Sequence, residues 1–340
     1  MTETWSSPLS PQWAVWVADN RLNACPVETM VSTMCEAGVD PAVARRAVSG
    51  IESDPCFIAA RKQQQIRRKH DSVMANLFRL QQMRAGSLRI ERRESIGTDE
   101  FVERHYCGNR PLILSGFAKD WPALGRWTFE HFRASYGAAL VEVQAGRDAD
   151  PDYEMNSVRH KRNLRLSDFI DTIESGVPGN DVYMTANNHA LARPELAPLL
   201  RDIGPLPEWF DPRRLASEAL LWMGPRGVVT PLHHDTIQLM HTHIVGRKRW
   251  RFISPLQTPL LHNQVGVFSK IRLEHAGAGR YALPAEVQVI EEILEPGETL
   301  FLPLGWWHHV ESLDNCISLS FTNFAFPNQF VFENPDVRDW

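Results

Sequence analysis

The sequence predicts an all-β core, a sandwich or barrel, preceded by an N-terminal helical segment. Two observations carry this. Up to about residue 84, apolar side chains recur at three- and four-residue steps, the helical period. After Ser217, short apolar or alternating runs follow one another between glycines and prolines at close intervals, the punctuation of a multi-stranded β-domain.

In chain order, Val27 to Ala37, Pro41 to Ser53 and Ala60 to Arg84 read as helices, with proline near two of the starts. In the third, Ile66, Val73, Leu77 and Leu80 form one stripe, with Met74 and Phe78 beside it. The stripe needs a covering surface, either the rest of the chain or a second copy, so a homodimer through the N-terminal helices is open. Residues 1–60 hold seven acidic and three basic side chains, and residues 61–94 hold three acidic and ten basic. Such a basic face is solvated, paired with the acidic segment before it, or set against RNA or an acidic protein. Gly86-Ser87 breaks the helix, giving an expected helical domain 1–87 and a catalytic domain 88–340 with its core at about 217–325. Leu88 to Arg92 and Pro111 to Leu114 read as strands, and Asp99 to Tyr106 and Phe129 to Tyr136 as helices. Further strands are expected at Ala219–Met223, Ile237–Val245, Arg249–Ile253, Val287–Leu294, Thr299–Leu302, Val310–Ser312 and Ile317–Thr322.

Composition excludes several classes. A net charge of −5 argues against nucleic acid as a partner by bulk electrostatics. No run of about 18 apolar residues occurs, so no membrane span is expected. Met1 to Pro11 has no basic and apolar signal pattern. Five scattered cysteines without CxxC spacing point to reduced thiols and a cytoplasmic setting. Neither GxxxxGK[ST] nor GxGxxG is present, so a phosphate-cradling loop is unsupported.

Two segments carry the chemistry: Gly227-Val-Val-Thr-Pro-Leu-His233-His234-Asp235 and Gly297-Glu-Thr-Leu-Phe-Leu-Pro303-Leu-Gly305-Trp-Trp-His308-His309. On an extended strand His233 and Asp235 share a face and His234 points away. With an imidazole from a distant strand they would form a 2-His-1-carboxylate triad, which leaves coordination positions open on Fe(II). The competing reading of the first segment alone is a hydrogen-bonded core histidine beside an unrelated aspartate.

These segments resemble the two cupin motifs, with aspartate in place of the second histidine of the first. Thr230 through Asp235, Val245-Gly-Arg-Lys248-Arg-Trp, Pro303 through Ser312 and Asn323 extend the likeness to the JmjC/cupin-8 group of Fe(II)/2-oxoglutarate oxygenases. Within it, the motif spacing is nearest to the asparaginyl hydroxylase that inhibits hypoxia-inducible factor. The likeness is strong over about 217–325, looser over 88–216 and absent over 1–87.

The resemblance implies a double-stranded β-helix (jelly-roll), Fe(II) as metal, and 2-oxoglutarate and O2 as co-substrates. It implies His233, Asp235 and His308 as metal ligands and catalytic centre, with His309 facing away or supporting them. Lys248, Thr230 and Tyr183 match the co-substrate's carboxylate pocket, and Asn323 matches an asparagine near its metal-bound end. A lysine inside an apolar barrel needs an anion; the competing reading places Lys248 on the solvent side with Arg247 and Arg249. Where the family has another asparagine this chain has Leu239, and Gln238 or His241 is left to supply that contact; His241 shares a face with Leu239 and His243. His241 also reads as an ordinary core histidine. Trp306 and Trp307 wall the site or pack the core. The implied reaction is hydroxylation of an aliphatic carbon on a peptide or protein side chain. The alternatives are a free amino acid or other small metabolite, demethylation through an N-methyl carbon, and a non-catalytic metal-binding cupin.

Overall fold

A computed structural model describes residues 9–84, 86, 89–186, 188–263, 266–273 and 281–331. The chain divides into two compact units, Met1–Leu77 and Phe78–Trp340. The expected boundary at Ser87/Leu88 and the end of the C-terminal tail lie outside the described residues.

The first unit is helical: α1 (Pro11–Leu22), α2 (Val27–Glu36), α3 (Pro41–Gly50) and most of α4 (Pro55–Gln82). The sequence reading missed α1. Its start is set locally, by Ser10 accepting from the Trp13 amide and by proline at its first position. The same device starts α4 at Pro55, earlier than the expected Ala60, because Asp54 accepts from the Phe57 amide. Val17, Met30, Met34, Ala44, Val48, Ile51 and Phe57 form the unit's core. Helices α1 to α3 leave the stripe on α4 bare: Ile66, Val73 and Leu77 are 46%, 57% and 47% exposed.

The second unit is built on thirteen strands among the described residues. They are β1 (Glu91–Arg93), β2 (Leu112–Leu114), β3 (Leu140–Ala145), β4 (Lys161–Arg165), β5 (Val182–Tyr183), β6 (Ala219–Gly224), β7 (Val229–His234), β8 (Leu239–Val245), β9 (Lys248–Ile253), β10 (Ile290–Leu294), β11 (Thr299–Leu302), β12 (Trp307–Ser312) and β13 (Cys316–Phe321). One sheet runs β1-β2-β11-β8-β13-β6 and a second β10-β9-β12-β7. From β6 onward the chain passes back and forth between these two sheets with antiparallel pairing, which is the jelly-roll. The strands expected after Ser217 are present within a few residues of their expected ends.

A third sheet, β4-β3-β5, was not expected. Its β4, Lys-Arg-Asn-Leu-Arg, carries a single apolar side chain and gives no alternation to read. Its β3 does alternate, burying Val141 and Val143 against Leu166, Phe169 and Ile170 of the helix Leu166–Glu174. No helix among the described residues is long and apolar enough to cross a membrane.

Candidate active site

Strands β7 and β12 are antiparallel neighbours, and their register sets His233 opposite His308. The two rings stand 4.1 Å apart between centroids. Asp235 follows directly on β7; its Oδ2 is 3.8 Å from His308 Nε2. One ligand atom from each of the three residues lies within 4.8 Å of the other two. The loop holding Asp235 is tied by the Gly305 amide, which donates to the Asp235 carbonyl at 3.0 Å.

The outer hydrogen bonds select the ligating tautomer. His233 Nδ1 donates to the Pro231 carbonyl at 2.8 Å, and His308 Nδ1 to the Trp306 carbonyl at 3.0 Å. Each imidazole therefore turns an Nε2 lone pair toward Asp235. Burial, with His233 adjacent, holds His308 well below the usual histidine range, so the ring is neutral and able to ligate. Burial also pushes the Asp235 carboxyl up from its ordinary value. Two imidazole nitrogens and one carboxylate on one side suit a divalent iron with open positions. His234 turns away against Trp307, ring centroids 4.7 Å apart, and His309 is buried outside the triad.

The buried imidazoles give the fold a pH dependence. Burial places His241, His243 and His308 well below 6.5. Below about pH 6.5 the unfolded chain binds protons that the fold refuses, so stability falls as pH falls. Each such group contributes a slope that grows toward about 1.4 kcal/mol per pH unit as pH falls below 6.5. Thermal melts of the metal-free protein should drop steeply between pH 6.5 and 5.5; a flat Tm over that interval would contradict the burial of these rings.

Lys248 opens β9. The β8–β9 turn is held by Gly246 at φ +73°, where a side chain would meet the Asn315 carbonyl. Alternation then sends Arg247 to Asp314 and Arg249 to Glu311 on the outside, and Lys248 inward at 2% exposure. Its Nζ donates to Tyr183 Oη at 3.0 Å and Ser318 Oγ at 3.3 Å. Among the described residues no carboxylate lies within 4.0 Å of it. A buried ammonium with only hydroxyl partners has room for an anion and a strong preference for one.

Tyr183 comes from β5 of the third sheet. Its ring fills the space beside Gly224, where an added Cβ would stand 2.6 Å from the ring. Thr230, Tyr183, His241 and Lys248 line the same cavity of about 480 Å³ as His233, Asp235 and His308. The donor set fits a dicarboxylate bound between metal and ammonium.

Several expectations need correcting. Asn323 does not line this cavity. Ser320 and Thr322 face it, and alternation turns Asn323 to the other side, where its Nδ2 donates to the Asp211 carbonyl. Gln238 is likewise outside: it is buried, with its backbone N–H donating to Asn328 Oδ1. Neither Trp306 nor Trp307 walls the cavity. Trp306 Nε1 donates to Asn109, and Trp307 Nε1 to Thr258 Oγ1. The tryptophans that do face the cavity are Trp222 and Trp250, the latter stacked on His308 at 5.8 Å. The sequence reading passed over Trp222, Ser318 and Ser320, although polar residues alternating with Ile317, Leu319 and Phe321 are a visible signal.

Comparison with known proteins agrees with this geometry. Residues 98–326 match the cupin-like domain family. The chain is 27% identical over 235 residues to the lysine-specific demethylase 8 of Xenopus tropicalis, covering 66% of this chain and 50% of that protein. It is 26% identical over 260 residues to the human bifunctional peptidase and (3S)-lysyl hydroxylase JMJD7, covering 65% of this chain and 79% of that one. Against the Arabidopsis thaliana lysine-specific demethylase JMJ30 it is 26% identical over 241 residues, 68% of this chain and 54% of the relative. The chain thus spans about half the length of the frog and plant relatives. The chain belongs to the cupin-like domain family.

Proposed function

We propose that this protein hydroxylates an aliphatic carbon of a peptide or protein side chain, with Fe(II), 2-oxoglutarate and O2. The observation that carries the reading is the single cavity onto which both the His233–Asp235–His308 triad and the buried Lys248 open. Iron and 2-oxoglutarate, when bound, supply the oxidising power. The chain's own residues do the rest. His233, Asp235 and His308 would hold the metal from one side. Lys248, Tyr183 and Thr230 would hold the far carboxylate of the co-substrate, and His241 a further polar contact.

The cavity walls Leu220, Trp222, Ile237, Leu239, Trp250 and Val310 are apolar and would keep water from the reacting carbon. At about 480 Å³ the cavity has the size of an ordinary small-ligand site, which suits the co-substrate and one side chain together. The relatives named as a lysyl hydroxylase and lysine-specific demethylases support a side chain of a polypeptide over a free metabolite. The test is accurate-mass screening of peptide and metabolite pools after incubation with the iron-loaded protein. A one-oxygen gain on peptides is the expected result. A gain confined to free metabolites would overturn the polypeptide assignment, and formaldehyde release would mark demethylation instead.

The bare stripe on α4 supports a homodimer through the N-terminal helices, with Ile66, Val73 and Leu77 covered by a second copy. The double variant Val73→Glu/Leu77→Glu is expected to sediment as a monomer where the natural chain sediments as a dimer. Its 2-oxoglutarate turnover should be unchanged, because the stripe contributes nothing to the cavity. A natural chain that sediments as a monomer would contradict the pairing.

A further inference from the structure

We infer that Trp222 and Ser320 lock His241 into the Nε2–H tautomer, making it a fixed donor aimed into the cavity beside Lys248. This rests on the 2-oxoglutarate reading above and adds to it which atom of this chain grips the co-substrate where Leu239 replaces an amide. The inference follows from counting hydrogens. Trp222 Nε1 can only donate, and it stands 2.8 Å from Ser320 Oγ, which therefore accepts there. Ser320 lies directly opposite His241 in the β8–β13 register, and its Oγ is 2.8 Å from His241 Nδ1.

If Nδ1 carried the proton, it and the indole would take both lone pairs of Ser320 Oγ, and the serine hydroxyl hydrogen, at a residue 1% exposed, would have no acceptor among the described residues. With Ser320 donating to Nδ1, the indole N–H, the serine hydroxyl and Nδ1 are all satisfied, and the ring proton moves to Nε2. That nitrogen is buried and has no partner among the described residues, while the ring lines the cavity. An unpartnered buried donor is costly to leave unmade, so its presence points to a ligand acceptor. Burial, with His243 and Lys248 nearby, keeps the ring neutral. Trp222 also packs 6.0 Å from the His241 ring and 5.9 Å from the Lys248 ammonium, so one indole positions both donors. Trp222 and Ser320 are thus positioning residues and His241 a binding residue.

Two measurements test this on the full chain. In the metal-free protein labelled with 15N-histidine, the His241 resonances, assigned by their loss in His241→Gln, should show an unprotonated Nδ1 and a protonated Nε2. In anaerobic calorimetry with Fe(II), His241→Phe should weaken 2-oxoglutarate binding about tenfold or more, the worth of one hydrogen bond to a charged group. His241→Gln, which keeps an N–H near the Nε2 position, should restore most of it. Ser320→Ala should admit a second tautomer and weaken binding by less than His241→Phe. An Nδ1–H tautomer in the natural chain would overturn the inference, as would unchanged affinity in His241→Phe alongside weakened affinity in Lys248→Met. If Lys248→Met also leaves affinity unchanged, the carboxylate pocket itself is wrongly placed and the inference falls with it.

Discussion

His308→Ala should yield a folded protein that retains no iron and turns over no 2-oxoglutarate, and His233→Ala should behave the same way. The triad supplies three ligand atoms within 4.8 Å of one another, and among the described residues no further His, Cys, Asp or Glu joins the group to replace a lost one. Outer hydrogen-bond partners of a metal ligand are worth about 10–100-fold in affinity, so loss of a ligand itself should exceed that range. His234→Ala is the control, since its ring lies against Trp307 and outside the triad. Iron content by elemental analysis after gel filtration checks this. Equal iron loss in His234→Ala and His308→Ala would contradict the ligand set.

Lys248→Met should keep iron and lose the co-substrate. Methionine roughly preserves the stem while removing the buried ammonium that lines the cavity. Breaking a desolvated charge pair from one side costs about 3–5 kcal/mol, on the order of a hundredfold or more in affinity. The same substitution should leave the ligand-free protein as stable as before or more so, because it removes a buried ammonium whose hydrogen-bond partners among the described residues are the hydroxyls of Tyr183 and Ser318. Opposite signs in the ligand-free melt and the 2-oxoglutarate titration would show that Lys248 is kept for binding, not for packing. An unchanged 2-oxoglutarate requirement would move the carboxylate pocket elsewhere.

The His233–Asp235–His308 cluster was legible because alternation puts His233 and Asp235 on one face and the resemblance of the Gly297–His308 segment implied the third member. Lys248 was named through resemblance, against a solvent-side reading; the structure buries it, with Arg247 and Arg249 paired to Asp314 and Glu311 outside. Tyr183 could be named only through resemblance, since it arrives from a different sheet and is seated by the missing side chain of Gly224. Asn323 failed because it stands two residues beyond β13, where alternation carries it out of the cavity toward Asp211. For Trp306 and Trp307 the core-packing reading holds: Trp306 packs with Ile90 and Ile113, and Trp307, on the face of β12 opposite His308, packs with Leu232, Ile253 and Leu261. Helix α1 was missed because its apolar face is weak and its start depends on one serine cap. The hydroxyls of Ser318 and Ser320 were within reach of alternation, yet their importance is visible only once Lys248, Trp222 and His241 are seen beside them.

The most direct measurement is succinate formation from 2-oxoglutarate by the purified full chain, with iron and oxygen each supplied or withheld. Succinate should appear only when Fe(II), O2 and 2-oxoglutarate are all present, and should disappear in His308→Ala. A protein that binds one equivalent of iron yet forms no succinate, and shows no affinity for 2-oxoglutarate, would contradict the oxygenase reading and leave a metal-binding cupin in its place.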